Sequence, residues 1–301
     1  MDMKIIFRHN SFDENTFSLG ITLIHSHRFG ISMNTDPLLP SGARIVPGLS
    51  SAELRETLRA RHPVGILGGM GPAAGVDFVR LFLSACERCL REHGTPIVDQ
   101  AFPEHWLAQI PVVDRSRALL DPNAPQPLQG MSLAIGRLAR LGARTVAVAC
   151  NTAHAWQAAL QREQPDVELL HIAKETAMHL RASGVTSAIL LATEGTYRMA
   201  LYQQAFDACG ILCVLPAARE RGALMEGIYD GVKAGRLELA REQFAAVGRV
   251  LHEQHGDLPM VMACTEIPLA MPFIDEAREW RLVDPAEVLA LALARRAYGL
   301  G

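Results

Sequence analysis

The sequence predicts an α/β protein of two pseudo-symmetric lobes, each a mainly parallel sheet flanked by helices, with a functional cleft between them. Three observations carry that prediction. From Val64 onward, short apolar runs alternate with helical segments. The alternation comes round twice, and each round contains an apolar run that stops at a cysteine followed by a polar turn. Apolar strands separated by amphipathic helices are the pattern of a parallel sheet covered on both faces.

The first run, VGIL at 64–67, breaks into GGMGP, where Pro72 favours a helix start, and AAGVDFVRLFLSACERCLREH continues as a long helical pattern. Further runs follow at 144–150 (RTVAVAC), 167–173 (VELLHIA), 187–193 (SAILLAT), 211–215 (ILCVL) and 260–264 (MVMAC). Helical stretches such as AWQAALQRE and YRMALYQQAFDAC trail most of them. The internal repeat is weak but ordered: ILGGMGP resembles LLATEGT, and VAVACNTAH resembles VMACTEIPL. The expected division is 64–172 for the first lobe, completed by a C-terminal helix over 284–301, and 173–283 for the second. Residues 1–63 show a helix start at Ser51, with Glu53 and Glu56 behind it, and otherwise read as a poorly ordered leader or a mis-assigned start.

Composition narrows the function. A chain of 301 residues that is 49% hydrophobic and 20% charged can bury a sizeable core, and a formal charge of −3 lacks the basic face that nucleic acid or an anionic membrane requires. No run reaches the roughly 18 apolar residues of a membrane span, and the start lacks the apolar region of a secretory signal. The six cysteines (86, 89, 150, 209, 213, 264) are too scattered for a disulfide framework, which points to a reducing cytoplasm. Lysine is scarce: only Lys4, Lys174 and Lys233 stand among 29 basic residues.

Cys150 and Cys264 are the candidate chemistry. Each ends an apolar strand and precedes polar residues, Asn151-Thr152 and Thr265-Glu266. If each begins the next helix, unpaired backbone N–H groups lower the thiol pKa and offer a place for a carboxylate. Two such thiols suit inversion of a stereocentre: one thiolate removes a proton and the other thiol returns one to the opposite face, with no cofactor. The other four cysteines read as core residues, and Cys86-x-x-Cys89 lies mid-helix without a second ligand pair, so no metal site is expected. GGMGPAAG has the wrong glycine spacing for a dinucleotide loop, no GK[ST] is present, and His25 and His27 have no metal-ligand partner nearby.

GGMGP (68–72), CNTAH (150–154), ATEGT (192–196), IYDGVKAG (228–235) and CTEIPL (264–269) together resemble the aspartate racemase branch of the aspartate/glutamate racemase superfamily, in order from Val64 to about Ala297. The resemblance implies two α/β lobes, usually a homodimer, and cofactor-independent racemisation of aspartate or glutamate. It makes Cys150 and Cys264 the acid/base pair, and it places Asn151, Thr152 and Thr265 at the α-carboxylate. Arg115, in VVDRS, and Lys233 fall at the distal carboxylate. Met70, Thr193 and Glu266 join the substrate-binding set through their motifs, and Glu266 and His154 are placed to tune the thiols, His154 from one helical turn beyond Cys150. The chain departs from the family pattern at Val113, where a proline more often precedes the Asp-Arg pair. The rival readings are an isomerase or decarboxylase of the same superfamily, or a non-catalytic carboxylate-binding protein.

Overall fold

The structure is a computed structural model, which describes residues 61–300. The leader expected over 1–63, with its Ser51 helix start and the histidines at 25 and 27, lies outside the described residues except for 61–63.

The alternation of strand and helix is borne out. Strands β1 (Val64–Gly68), β2 (His105–Gln109), β3 (Thr145–Val148) and β4 (Glu168–Leu169) form one four-stranded sheet in the order β2-β1-β3-β4. Strands β5 (Ser187–Ala192), β6 (Leu212–Val214), β7 (Met260–Ala263) and β8 (Leu282–Val283) form a second, in the order β6-β5-β7-β8. Every neighbouring pair is parallel. The two orders are the same permutation, so the weak sequence repeat reports a repeated topology. Flanking them are α1 (Pro72–Glu92), α2 (Arg115–Leu120), α3 (Leu128–Arg140), α4 (Gln157–Glu163), α5 (Ile172–Ala182), α6 (Glu194–Arg198), α7 (Leu201–Ala208), α8 (Ala218–Glu226), α9 (Leu237–His255) and α10 (Pro285–Ala297). No helix among the described residues is long and apolar enough to cross a membrane.

Alternation along the strands sorts the side chains into three cores. On β3, Ala147 faces one way and Val146 and Val148 the other; on β5, Ala188, Leu190 and Ala192 oppose Ile189 and Leu191. Both faces are buried, which is why these strands read as continuous apolar runs. The first set belongs to one core that runs through both halves, where α1, α5, α7 and α10 lie together. Its strand positions are often alanine, and small side chains let the helices approach closely. The opposite faces carry separate cores, built on α3 in the first half and on α9 in the second. Cys86 and Cys89 are buried in the shared core, as expected of α1's inner face.

The differences from the sequence reading have simple causes. β2, HWLAQ, is an exposed to half-exposed edge strand whose three apolar residues, Trp106–Ala108, are bounded by His105 and Gln109 and so make too short a run to find. β8 has two residues. The run at 167–173 contributes only Glu168–Leu169 to the sheet, because Ile172 and Ala173 already open α5.

Candidate active site

Cys150 follows β3 by two residues and Cys264 follows β7 directly, so both share the outward parity of Val148 and Met262. β1 with β3, and β5 with β7, are the central pairs from which each strand order departs to either side, the switch points where open α/β sheets bind ligands. Both thiols line one cavity with Met70, Arg115, Asn151, Thr152, Thr193, Lys233, Thr265 and Glu266. The two cysteines and the eight residues read as substrate-binding therefore meet in one place, whereas His154 does not line it. Asp114, Ser116 and Tyr229 also line it and were not singled out. Their signal was proximity: two flank Arg115, and Tyr229 stands one helical turn before Lys233.

The second half supplies a saturated carboxylate. Glu266 Oε2 accepts from the Cys264 thiol at 3.0 Å and from the Thr265 hydroxyl at 3.3 Å. Its Oε1 accepts from Lys233 Nζ at 2.8 Å and from the Gly71 N–H at 3.2 Å. Burial and then the Glu266 charge push the Cys264 thiol well above its ordinary pKa. The expectation of a helix-lowered thiol thus fails at Cys264: only a 3-10 turn, Ile267–Leu269, follows, and the carboxylate outweighs any help from backbone dipoles. Burial pulls the Lys233 ammonium down, but Glu266 and next Cys264 more than offset it, so it stays above its usual value.

Lys233 reaches the cavity because of the glycines around it. Gly227–Val232 forms a π-helical turn, a local widening common at functional sites. A side chain at Gly227 would run into the Phe244 ring, and one at Gly231 would sit 2.7 Å from the Ala240 Cβ. Their absence lets the turn press onto α9 and present Tyr229 and Lys233 together. The Tyr229 hydroxyl donates to Asp114 Oδ2 at 3.0 Å, while Asp114 Oδ1 caps α2 by accepting from the Arg117 N–H at 2.7 Å.

The first half supplies a buried cation. Arg115 is 8% exposed and donates to the backbone carbonyls of Met70 and of Val113, the latter at 3.1 Å; its Nε is buried without a partner. Burial disfavours the guanidinium charge, yet the adjoining Cys150 sulfur, with Asp114 and Glu266, holds the pKa above its usual value. The helix expected after Cys150 is a 3-10 turn, Thr152–Trp156. His154 therefore meets backbone and not the thiol: Nδ1 lies 2.9 Å from the Cys150 carbonyl oxygen and 3.2 Å from that of Asn151. Nε2 lies 3.3 Å from the Leu170 carbonyl oxygen, and burial lowers the pKa to about 4, so the ring is neutral at pH 7.

Three buried hydroxyls tie the halves together. Thr152, Thr193 and Thr196 form a closed ring with oxygens 2.9, 3.0 and 3.1 Å apart. Beside it, a Cβ at Gly195 would stand 3.1 Å from both Ser116 Oγ and Thr152 Cγ2. Asn151 is 2% exposed; its Oδ1 accepts from the Tyr202 hydroxyl, and its Nδ2 has no partner.

Two parallel α/β lobes that meet over a pair of thiols define an isomerase of the racemase kind. The chain belongs to the Asp/Glu/Hydantoin racemase family, whose model matches residues 67–293. It is 23% identical over 230 residues to the broad specificity amino-acid racemase RacX of Bacillus subtilis, covering 75% of this chain and 94% of that protein. Among solved structures it is similar to the Picrophilus torridus aspartate racemase (TM-score 0.65, 28% identity, 79% of this chain and 94% of that one). It shares its fold with the Bacillus anthracis glutamate racemase RacE1 (TM-score 0.54, 17% identity, 80% and 84%).

Proposed function

We propose that this chain racemises an amino acid, aspartate or glutamate foremost, by a two-base thiol/thiolate mechanism without a cofactor. The observation that carries the reading is the placement of Cys150 and Cys264 at equivalent strand ends on one cavity, with a cation beside the first and a carboxylate beside the second. Arg115 lies beside the Cys150 sulfur and offsets the negative charge it carries during proton transfer. Glu266 accepts a hydrogen bond from the Cys264 thiol and keeps Cys264 as the resting thiol. Substrate of one hand then loses its α-proton to Cys150 and gains one from Cys264; the other hand runs the reverse course after the proton has moved.

The difficult step is removal of a weakly acidic α-proton next to a carboxylate. Donors around that carboxylate offset the developing charge, each worth roughly 3–4 kcal/mol in comparable sites, and a positioned acid or base contributes about 10²–10⁴-fold. Asn151, Thr152 and Thr265 are assigned to the α-carboxylate, with Met70 and Thr193 completing the wall. Arg115 and Lys233 are assigned to the distal carboxylate, which means Lys233 turns from Glu266 toward substrate. His154 fixes the Cys150 turn through its carbonyls.

The inner cavity has about 20 Å3, room for little more than a water, and a neighbouring chamber of about 350 Å3 shares Met70, Arg115, Lys233 and Glu266 with it. An amino acid therefore enters by displacing those side chains or by parting the lobes. The lobes of this reading are 64–172 with 284–301, and 173–283. A homodimer in the cytoplasm completes it.

The test is incubation with L-aspartate, L-glutamate and neutral amino acids in D₂O without added cofactor. Deuterium at the α-carbon and accumulation of the D-isomer are the expected result; no exchange with any amino acid refutes the reading.

A further inference from the structure

We infer that Tyr202 is a positioning residue that fixes the Asn151 carboxamide with its N–H donors turned toward a substrate carboxylate. The inference rests on the racemase reading for the identity of that ligand and on three independent features for its geometry. First, the Tyr202 hydroxyl donates to Asn151 Oδ1, which assigns the carbonyl end of the amide to the protein. Second, Asn151 Nδ2 is buried without a hydrogen-bond partner although the residue is 2% exposed. Buried polar groups are rarely left so, and a donor kept in that state at a cavity wall is one reserved for an acceptor from outside the chain. Third, Asn151 lines the cavity that holds both thiols and is the residue next to Cys150.

Tyr202 is well suited to that task. It is fully buried, and its ring stands edge-on to Phe206 with centroids 5.7 Å apart, so the hydroxyl cannot swing away from the amide. An asparagine amide presents donors or an acceptor to the cavity according to which way it is turned. With Oδ1 toward the cavity, its lone pairs would face the carboxylate and repel it. A fixed donor in the phenol prevents that rotation, so the side chain meets an anion with no reorientation. Tyr202 touches no substrate. It acts through Asn151, from an α7 position that no sequence motif singles out.

The experiment is a double-mutant cycle on Tyr202→Phe, Asn151→Ala and the pair, read by KM and kcat on L- and D-aspartate and by calorimetric affinity for succinate, an unreactive dicarboxylate. Tyr202→Phe keeps the ring and removes the donor. Expected is a rise of about tenfold in KM and in the succinate dissociation constant with kcat changed less than about threefold, the sign of an interaction equal in ground and transition states. In the Asn151→Ala background the same change should have no further effect. An unchanged succinate affinity in Tyr202→Phe, or an equal loss with and without Asn151, overturns the inference. Asn151→Asp gives a second arm should Tyr202→Phe not fold: a carboxylate oxygen turned to the cavity should weaken succinate binding beyond Asn151→Ala, and wild-type affinity in Asn151→Asp overturns it. A wild type that binds succinate but racemises nothing refutes the racemase reading, and the same affinity comparison still decides the role of Tyr202.

Discussion

Glu266→Gln should make Cys264 more reactive. The substitution keeps the shape of the side chain but removes a charge that holds four donors: the Cys264 thiol at 3.0 Å, Thr265, Lys233 at 2.8 Å and the Gly71 N–H. At an effective dielectric of about 20, a thiolate 3.0 Å from a carboxylate oxygen is opposed by about 5 kcal/mol. Glutamine abolishes that opposition and leaves the Lys233 ammonium uncompensated beside the sulfur, so both changes favour the thiolate. Alkylation proceeds through the thiolate, and the rate at Cys264 should rise at least about tenfold at pH 7. The assay is iodoacetamide labelling across pH with the modified peptides resolved by mass spectrometry, Cys86 and Cys89 serving as buried references. Stability should fall by about 1–3 kcal/mol in urea unfolding, less than for a fully buried pair because Lys233 keeps 23% of its side-chain exposure. Racemisation should fall too, because Cys264 then rests without its proton and cannot deliver one. Labelling of Cys264 that slows or stays unchanged refutes the assignment of Glu266 as the group that keeps it protonated.

Other outcomes follow from the same geometry. Cys150→Ser and Cys264→Ser should each lower racemisation by about 10²-fold or more, with Cys264→Ser still exchanging the α-proton of one enantiomer for deuterium; full activity in both refutes the two-base mechanism. Thr152→Val should cost about 1–2 kcal/mol in urea unfolding by opening the hydroxyl ring between the lobes. Gly195→Ala forces a methyl to 3.1 Å from Ser116 and Thr152 and should destabilise by about 1–3 kcal/mol while raising KM. Burial raises Asp284 from 3.8 to about 7. Its protonated form is the one the fold favours, so its contribution is complete below pH 3.8 and is lost as pH rises toward 7. Asp284→Asn keeps the cap on the Ala286 N–H and should flatten that part of the stability profile in urea titrations across pH.

The sequence revealed what depends on local order. Continuous apolar runs marked the strands buried on both faces, the Gly-Pro break marked the start of α1, and two cysteines in matching turns marked the place where the halves converge. It concealed what depends on distance along the chain. Lys233 meets Glu266 across 33 residues, Tyr229 meets Asp114 across 115, and Tyr202 meets Asn151 across 51. None of these pairs has a local signature, because a salt bridge or a phenol–amide contact sets no period. The environment of the thiols was hidden for the same reason. The position after a strand suggested a lowered pKa, whereas burial and a carboxylate two residues on raise it at Cys264. The edge strand β2 was lost because none of its residues is buried and its apolar stretch is only three residues long.

The core shared by both halves has a consequence for how the chain is made. Phe78, Phe82 and Cys86 of α1 are buried in one cluster with Leu289 and Leu293 of α10. In synthesis α10 emerges roughly 200 residues after α1, an interval of about 10–40 s at common ribosomal rates. Throughout that interval the inner face of α1 has no final cover. The first lobe can form its sheet early but cannot close, and a chain stopped before residue 285 would leave its oldest apolar surface open. Closure of the core around α1 therefore waits until α10 has been made and docks against it.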